Sequence, residues 1–114
     1  PVVIYTECVV VNEKEGFAGT TDLICRLPNG LVWICDFKTG KNLYSKELSL
    51  QLSAYKNAEY IYNKAEKKKI EIPKIDKMAG IHLKPDGTFS FVEVADNFDI
   101  FLATKKLWEY QQNE

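Results

Sequence analysis

The spacing of apolar and polar positions along this chain changes period several times, and each change marks an element. Val2 to Val11 is dense in β-branched residues and reads as a strand. Gly16 to Leu27 reads as a second strand, entered through Gly16 and Gly19. Pro28-Asn29-Gly30 then supplies turn chemistry. Proline presets the first dihedral, and glycine takes the left-handed position that closes a three-residue hairpin loop. Leu31 to Phe37 is apolar throughout except for Asp36 near its end, which predicts a central strand covered on both faces. Thr39-Gly40 breaks that strand.

From Ser45 the period becomes helical. Ser45 is the expected N-cap, with Glu47 in the first turn. Leu50, Ala54, Ala58, Ile61 and Ala65 keep helical spacing and form the expected buried stripe of a helix running to about Lys67. Pro73 ends any helix there. Met78 to Lys84 and Phe89 to Val94 predict a second hairpin around Pro85-Asp86-Gly87, and Asp96 or Asn97 opens a final helix through about Tyr110. The predicted order, β-β-β-α-β-β-α, belongs to an α/β fold in which helices flank a mixed sheet. No internal repeat or linker divides the 114 residues, so 1–114 reads as one domain.

Composition narrows the picture modestly. Hydrophobic residues at 46% are enough for a core, and charged residues at 27% are ordinary for a globular chain. A net charge of −1 is not that of a generic DNA-coating protein, though it leaves room for a local basic surface. No apolar run approaches the roughly 20 residues that cross a bilayer. No N-terminal stretch has the parts of a secretory signal. A cytoplasmic protein with no membrane partner is expected. The three cysteines, Cys8, Cys25 and Cys35, are odd in number and lie in apolar strand-like segments, so they read as buried thiols rather than a disulfide framework. The chain starts at Pro1 and is strand-like at once, which reads as a fragment of a longer protein.

The first turn serves as a ruler for the candidate chemistry. If Pro28-Asn29-Gly30 is the whole loop, Leu27 pairs with Leu31, and antiparallel counting sets Asp22 directly opposite Asp36. Like charges so placed destabilise a sheet. A hard divalent cation between them removes the conflict, since carboxylates are its natural ligands. Lys38, two residues beyond Asp36, projects on the same face. It is placed to stabilise the charge of a pentacovalent phosphorus or to orient an attacking water. The backbone carbonyl of Phe37 lies between the two side chains and is a further candidate metal oxygen.

Three motifs carry a resemblance. Gly19-Thr20-Thr21-Asp22 resembles a G-x-x-D element, Ile34-Cys35-Asp36-Phe37-Lys38-Thr39 a strand ending in D-x-K-T, and Gln51-Leu52-Ser53-Ala54-Tyr55 a Q-x-x-x-Y helix motif. In this order and spacing they resemble the PD-(D/E)xK nuclease superfamily, in its RecB/Cas4-like exonuclease branch. The resemblance implies a restriction-endonuclease-like core and a metal-dependent DNA nuclease, expected to act as an exonuclease in phage or bacterial recombination and repair. It implies magnesium or manganese held by Asp22 and Asp36, with Lys38 as the catalytic lysine. Gln51 and Tyr55, four apart on one helix face, would contact substrate or support the lysine. Glu7 is a candidate secondary or outer-sphere ligand. Lys41 and Lys46 are the candidate contacts to the DNA backbone, ahead of the lysine-rich stretch Lys64 to Lys77, which reads as a solvated helix end and loop.

The chain departs from that pattern in places. Relatives place a helix before the first strand, and here the first core helix is missing. The lone histidine, His82, falls downstream of every motif and reads as a plain strand residue. The four-cysteine spacing of an iron–sulfur cluster is absent, so no cluster is expected. Trp33 reads as core, and Trp108 and Tyr110 as packing residues of the last helix. The alternative reading is a catalytically inactive DNA-end-binding or scaffold module of the same fold. A restriction-type endonuclease is a third reading, for which the chain has little room. A homo-oligomer or a larger recombination or repair complex is compatible with all of these.

Overall fold

The computed structural model describes residues 1–112. It is a mixed α/β arrangement of seven strands and two helices, in which β1 (Val2–Asn12), β2 (Phe17–Arg26) and β3 (Val32–Thr39) precede α1 (Ser45–Lys56). β4 (Tyr60–Asn63), β5 (Lys68–Glu71), β6 (Lys77–Leu83), β7 (Phe89–Val94) and α2 (Phe98–Gln112) follow. The sheet order is β5-β4-β1-β2-β3-β6-β7. β3 pairs with β6 in parallel, and the other pairings are antiparallel. A parallel pair needs a long crossover, and here α1 and the β4–β5 hairpin supply it.

The first turn has the geometry its sequence predicts. Leu27 N–H donates to Leu31 O at 3.0 Å, Gly30 N–H donates to Leu27 O at 2.8 Å, and Gly30 takes φ 86°. The same device recurs between β6 and β7, where Gly87 takes φ 88° and Lys84 N–H donates to Thr88 O at 2.9 Å. β3 is buried from Val32 to Asp36, as its apolar run requires.

The middle of the chain differs from the sequence expectation. α1 stops at Lys56, with Asn57 as its C-cap, and does not continue to Lys67. Tyr60-Ile61-Tyr62 is instead the strand β4, in which Ile61 pairs with Val10. Aromatic and β-branched residues fit a pleated surface, and the sheet edge offered by β1 outweighs the helical spacing of Ile61 and Ala65. The observed order is therefore β-β-β-α-β-β-β-β-α. The helix start also shifts. Tyr44 occupies the N-cap position without a side-chain cap, and its carbonyl already accepts from Leu48 N–H at 3.0 Å.

The buried stripe of α1 is Leu48, Ser49, Leu52, Ser53 and Ala54, not the predicted Leu50–Ala54–Ala58 line. Leu48 and Leu52 pack on Ile24, Ile34, Val10 and Met78 in the main core. The two serines face the start of α2. Ser49 Oγ donates to Ala95 O at 2.6 Å, Ser53 Oγ donates to Ser49 O at 2.5 Å, and Asn97 N–H donates to Ser53 Oγ at 2.7 Å. α2 rests on this seam and sets Phe98 and Phe101 against Phe17, with centroids 6.2 and 5.2 Å apart. None of its residues is fully buried; Trp108 and Tyr110 are exposed, contrary to the packing role expected of them. The other face of the sheet has its own cluster of Cys25, Trp33, Cys35 and Ala79, with Leu23 and Ile81 against it. Phe91 meets Trp33 edge-on there at 5.0 Å. Among the described residues, no helix is long and apolar enough to cross a membrane.

Candidate active site

The β2–β3 ladder runs Arg26↔Val32, Cys25↔Trp33, Ile24↔Ile34 and Leu23↔Cys35. The ladder keeps the register that the three-residue turn predicts and ends one step short of Asp22 and Asp36, whose side chains still meet, Asp22 acting on Asp36 by hydrogen bond and charge. Both carboxylates lie on the side of the sheet that carries α1, in line with Ile24 and Ile34 of the main core. Beyond Leu23 and Cys35 the strands part. Phe37 N–H donates to the Asp22 side chain (Oδ2) at 2.8 Å instead of to a strand carbonyl.

Asp36 is buried, with 5% of its surface exposed. Burial is the largest influence on its carboxyl and pushes its pKa up; the hydrogen bond and charge of Asp22 push the same way, while Lys38 opposes them. Lys38 Nζ is 2.7 Å from Asp36 Oδ2 and donates to Gln51 Oε1 at 3.2 Å. Gln51 Nε2 in turn donates to the Tyr55 hydroxyl at 3.3 Å. The two ends of Gln51 thus join the lysine to the tyrosine, and the polar atoms of a half-buried amide find partners.

Tyr55 closes the chain of contacts on Gly19. A β-carbon at Gly19 would lie 2.5 Å from Tyr55 Cε1 and 2.6 Å from its hydroxyl oxygen. The glycine of G-x-x-D is thus the floor on which the tyrosine of Q-x-x-x-Y rests. Gly80 does similar work, because a β-carbon there would collide with Leu48 Cδ2. Gly80 is also the register partner of Asp36 on β6. Leu48 seats α1 over this glycine, which brings Gln51 to Lys38.

Glu7 sits between the pairs Thr6↔Leu23 and Cys8↔Thr21, hence opposite Asp22. Its φ is 45°, a left-handed conformation that costs a non-glycine residue roughly 1–2 kcal/mol. The strand alternation breaks at the same level. Ile24 belongs to the α1-side core and Gly19 faces Tyr55 on α1, yet an odd and an even residue of a regular strand cannot share a face. This bend opens a groove of about 510 Å³ lined by Glu7, Asp22, Thr20, Tyr62 and Lys64 among others. Among the described residues, no group of three or more His, Cys, Asp or Glu gathers closely enough to hold a metal. Glu7 and Asp22 line this groove together, and Asp36 is not part of its lining.

The remaining sequence candidates fall elsewhere. Lys41 is exposed in the turn after β3. Lys46 lines a different hollow, with Ser49, Glu93, Val94 and Ile100. Lys64, read from sequence as part of a solvated helix end, shares the groove with Asp22. His82 is more than a plain strand residue. It is the register partner of Lys38, is 6% exposed, and its Nε2 lies 2.8 Å from the Gly40 carbonyl oxygen. It ties down the turn where Gly40 takes φ 103°, two residues after the lysine. Parallel pairing of β3 with β6 makes this contact, and no local pattern announces it.

The three thiols are free. Burial, then the neighbouring Cys25, pushes the Cys35 thiol up to about 12. No family model matches this chain, and no curated protein matches it.

Proposed function

We propose that this chain is the core of a metal-dependent deoxyribonuclease of the PD-(D/E)xK kind, with a restriction-endonuclease-like topology, acting as an exonuclease of the RecB-like branch in recombination or repair. The observation that carries the reading is the Asp22–Asp36 side-chain pair at the end of the β2–β3 ladder, beside a lysine that Gln51 holds. Two adjacent carboxylates, one of them buried and paired with Lys38, set like charges against each other. A fold selected for stability alone avoids such a pair. The donor set suits magnesium or manganese, which take hard oxygen ligands. Asp22, Asp36 and the Phe37 carbonyl would hold the ion, with Glu7 acting from outside through water. The ion would polarise a phosphoryl oxygen and ease deprotonation of water.

The protein's own groups supply the rest. Lys38 Nζ offers its proton donors and charge to the phosphoryl oxygens as negative charge builds on them. Gln51 fixes the lysine through its carbonyl oxygen, and Tyr55 fixes the amide through its hydroxyl. Gln51 and Tyr55 are thus positioning residues. The second reading is a non-catalytic module, a DNA-end binder of the same fold.

Digestion of end-labelled linear DNA with magnesium or manganese separates the two readings. Wild type should release label, while Asp36→Ala and Lys38→Ala should lose about 10²-fold or more of the rate. Intact DNA with wild type under both metals would remove the catalytic reading and leave the end-binding module.

A further inference from the structure

The β4–β5 hairpin forms one edge of the sheet, beyond β1. β4 pairs with β1 only from Val9↔Tyr62 to Val11↔Tyr60. Past Tyr62 the two strands separate, and the groove of about 510 Å³ lies in the gap. One wall carries Glu7 and Asp22; the other carries Tyr62, Asn63 and Lys64. The groove therefore runs from Asp22, one member of the acid pair, to Lys64, where the hairpin turn begins.

That turn is strongly basic. Residues 64 to 69, Lys-Ala-Glu-Lys-Lys-Lys, hold four lysines against one glutamate. Lys68 is paired with Glu66 at 3.6 Å, and Lys69 with Glu13 at 3.6 Å while also lying over the Tyr60 ring at 4.7 Å. Lys64 and Lys67 form no ion pair among the described residues, and both are exposed. The turn is shaped rather than loose. Asn63 Oδ1 accepts from Glu66 N–H at 3.1 Å, and Lys67 holds φ 54°.

We propose that this hairpin is a strand-gripping arm, in which Lys64 and Lys67 neutralise backbone phosphates of a single polynucleotide strand that lies in the groove over Tyr62. The inference rests on the nuclease reading and deepens it. An acid pair repels phosphate, so a strand that reaches Asp22 needs cations along its approach, and the hairpin wall provides them. Cations at the mouth of a groove with aromatic rings along it are an arrangement that binds single strands, whose bases present free π faces. Tyr5 and Tyr62 both line this groove. A duplex hides those faces in its own stack.

The test is binding of a short fluorescent oligothymidine across a salt series, followed by anisotropy. Calcium replaces magnesium, and the oligonucleotide is checked intact by gel. The arm variant is Lys64→Gln/Lys67→Asn, since asparagine tolerates the left-handed backbone at position 67. Each lysine–phosphate contact to a single strand contributes about 0.7 to the slope of log affinity against log salt, so the variant should bind several-fold more weakly at low salt with a slope reduced by about 1.4. Lys106→Gln, exposed on α2 and outside the groove, should leave both unchanged. Unchanged affinity and slope in the arm variant, with wild type still cutting DNA, would overturn the arm and leave the nuclease reading standing. An equal loss on a duplex of the same length would overturn the single-strand assignment. Wild type that neither binds nor cuts DNA would sink the nuclease reading, and the arm with it.

Discussion

Gly19→Ala probes the contact that joins two distant motifs. The added methyl would lie 2.5, 2.6 and 2.8 Å from Cε1, the hydroxyl oxygen and Cζ of Tyr55. Ordinary carbon contacts begin near 3.5 Å, so the ring must retreat by about 1 Å. Both residues are half-buried, which lets the ring swing outward at the expense of its packing. Overpacking of this kind costs roughly 1–3 kcal/mol. For a chain of this size that lowers the melting temperature by about 4 °C per kcal/mol. Gly19 is not among the glycines with positive φ, so its backbone accepts alanine. With the ring removed, alanine should even help, because glycine inside a strand is worse than alanine by about 0.5–1 kcal/mol. The assay is therefore a double-mutant cycle by urea denaturation, with Gly19→Ala measured in wild type and in Tyr55→Ala. The effect should change from destabilising to neutral or stabilising, with a coupling of about 1–3 kcal/mol. Equal costs in the two backgrounds would show that Tyr55 does not rest on Gly19, and the route from Gly19 through Gln51 to Lys38 would fall with it.

Three further outcomes follow from the same geometry. Ser53→Ala removes a fully buried hydroxyl and strands the Asn97 N–H, so urea denaturation should show a loss of about 1–3 kcal/mol; a loss within about 0.5 kcal/mol would mean that the α1–α2 seam is hydrated. The Asp36 carboxyl is raised, first by burial and then by Asp22, so without metal its contribution to stability is full below the ordinary carboxylate range and is lost as pH rises through its folded value. Metal-free melting temperatures should reveal this decline, Asp36→Asn should flatten it, and magnesium should oppose it in wild type; a metal-free profile identical in Asp36→Asn would refute the account. Native-state alkylation at pH 8, read by mass spectrometry, should label half-buried Cys8 before Cys35, which is fully buried with its thiol pushed up to about 12; labelling of Cys35 first would contradict the packing of the second core.

Much of the candidate site is legible in local chemistry. The three-residue turn specifies one register, that register brings Asp22 beside Asp36, and the pleat sets Lys38 on the same face. Each step needs only the neighbours of the residue concerned. The same holds for the apolar run of β3 and for the second hairpin, whose Pro85-Asp86-Gly87 turn repeats the first. Local reading failed where two patterns fitted one segment. Ile61 and Ala65 continue a helical stripe, yet Tyr60-Ile61-Tyr62 also alternates as a strand, and the open edge of β1 decided between them. Ser49 and Ser53 are buried polar positions whose partners come from the start of α2, far along the chain. Trp108 looks like a packing residue, but α2 turns it to solvent.

Local sequence, then, was enough for β1 to β3, β6 and β7, for the two hairpin turns and for the β2–β3 register. These depend on dihedral preferences and alternation, which act over a few residues. Only the tertiary structure decided that Gly19 carries Tyr55, that His82 holds the Gly40 carbonyl, and that the lysine-rich segment is a hairpin beside Asp22. Those contacts join residues about 36 to 42 positions apart, where no periodicity couples one side chain to another. They form because burying apolar surface between α1, β1 and β6 fixes how the elements meet, and the polar groups then bond with whatever partner that packing brings within reach.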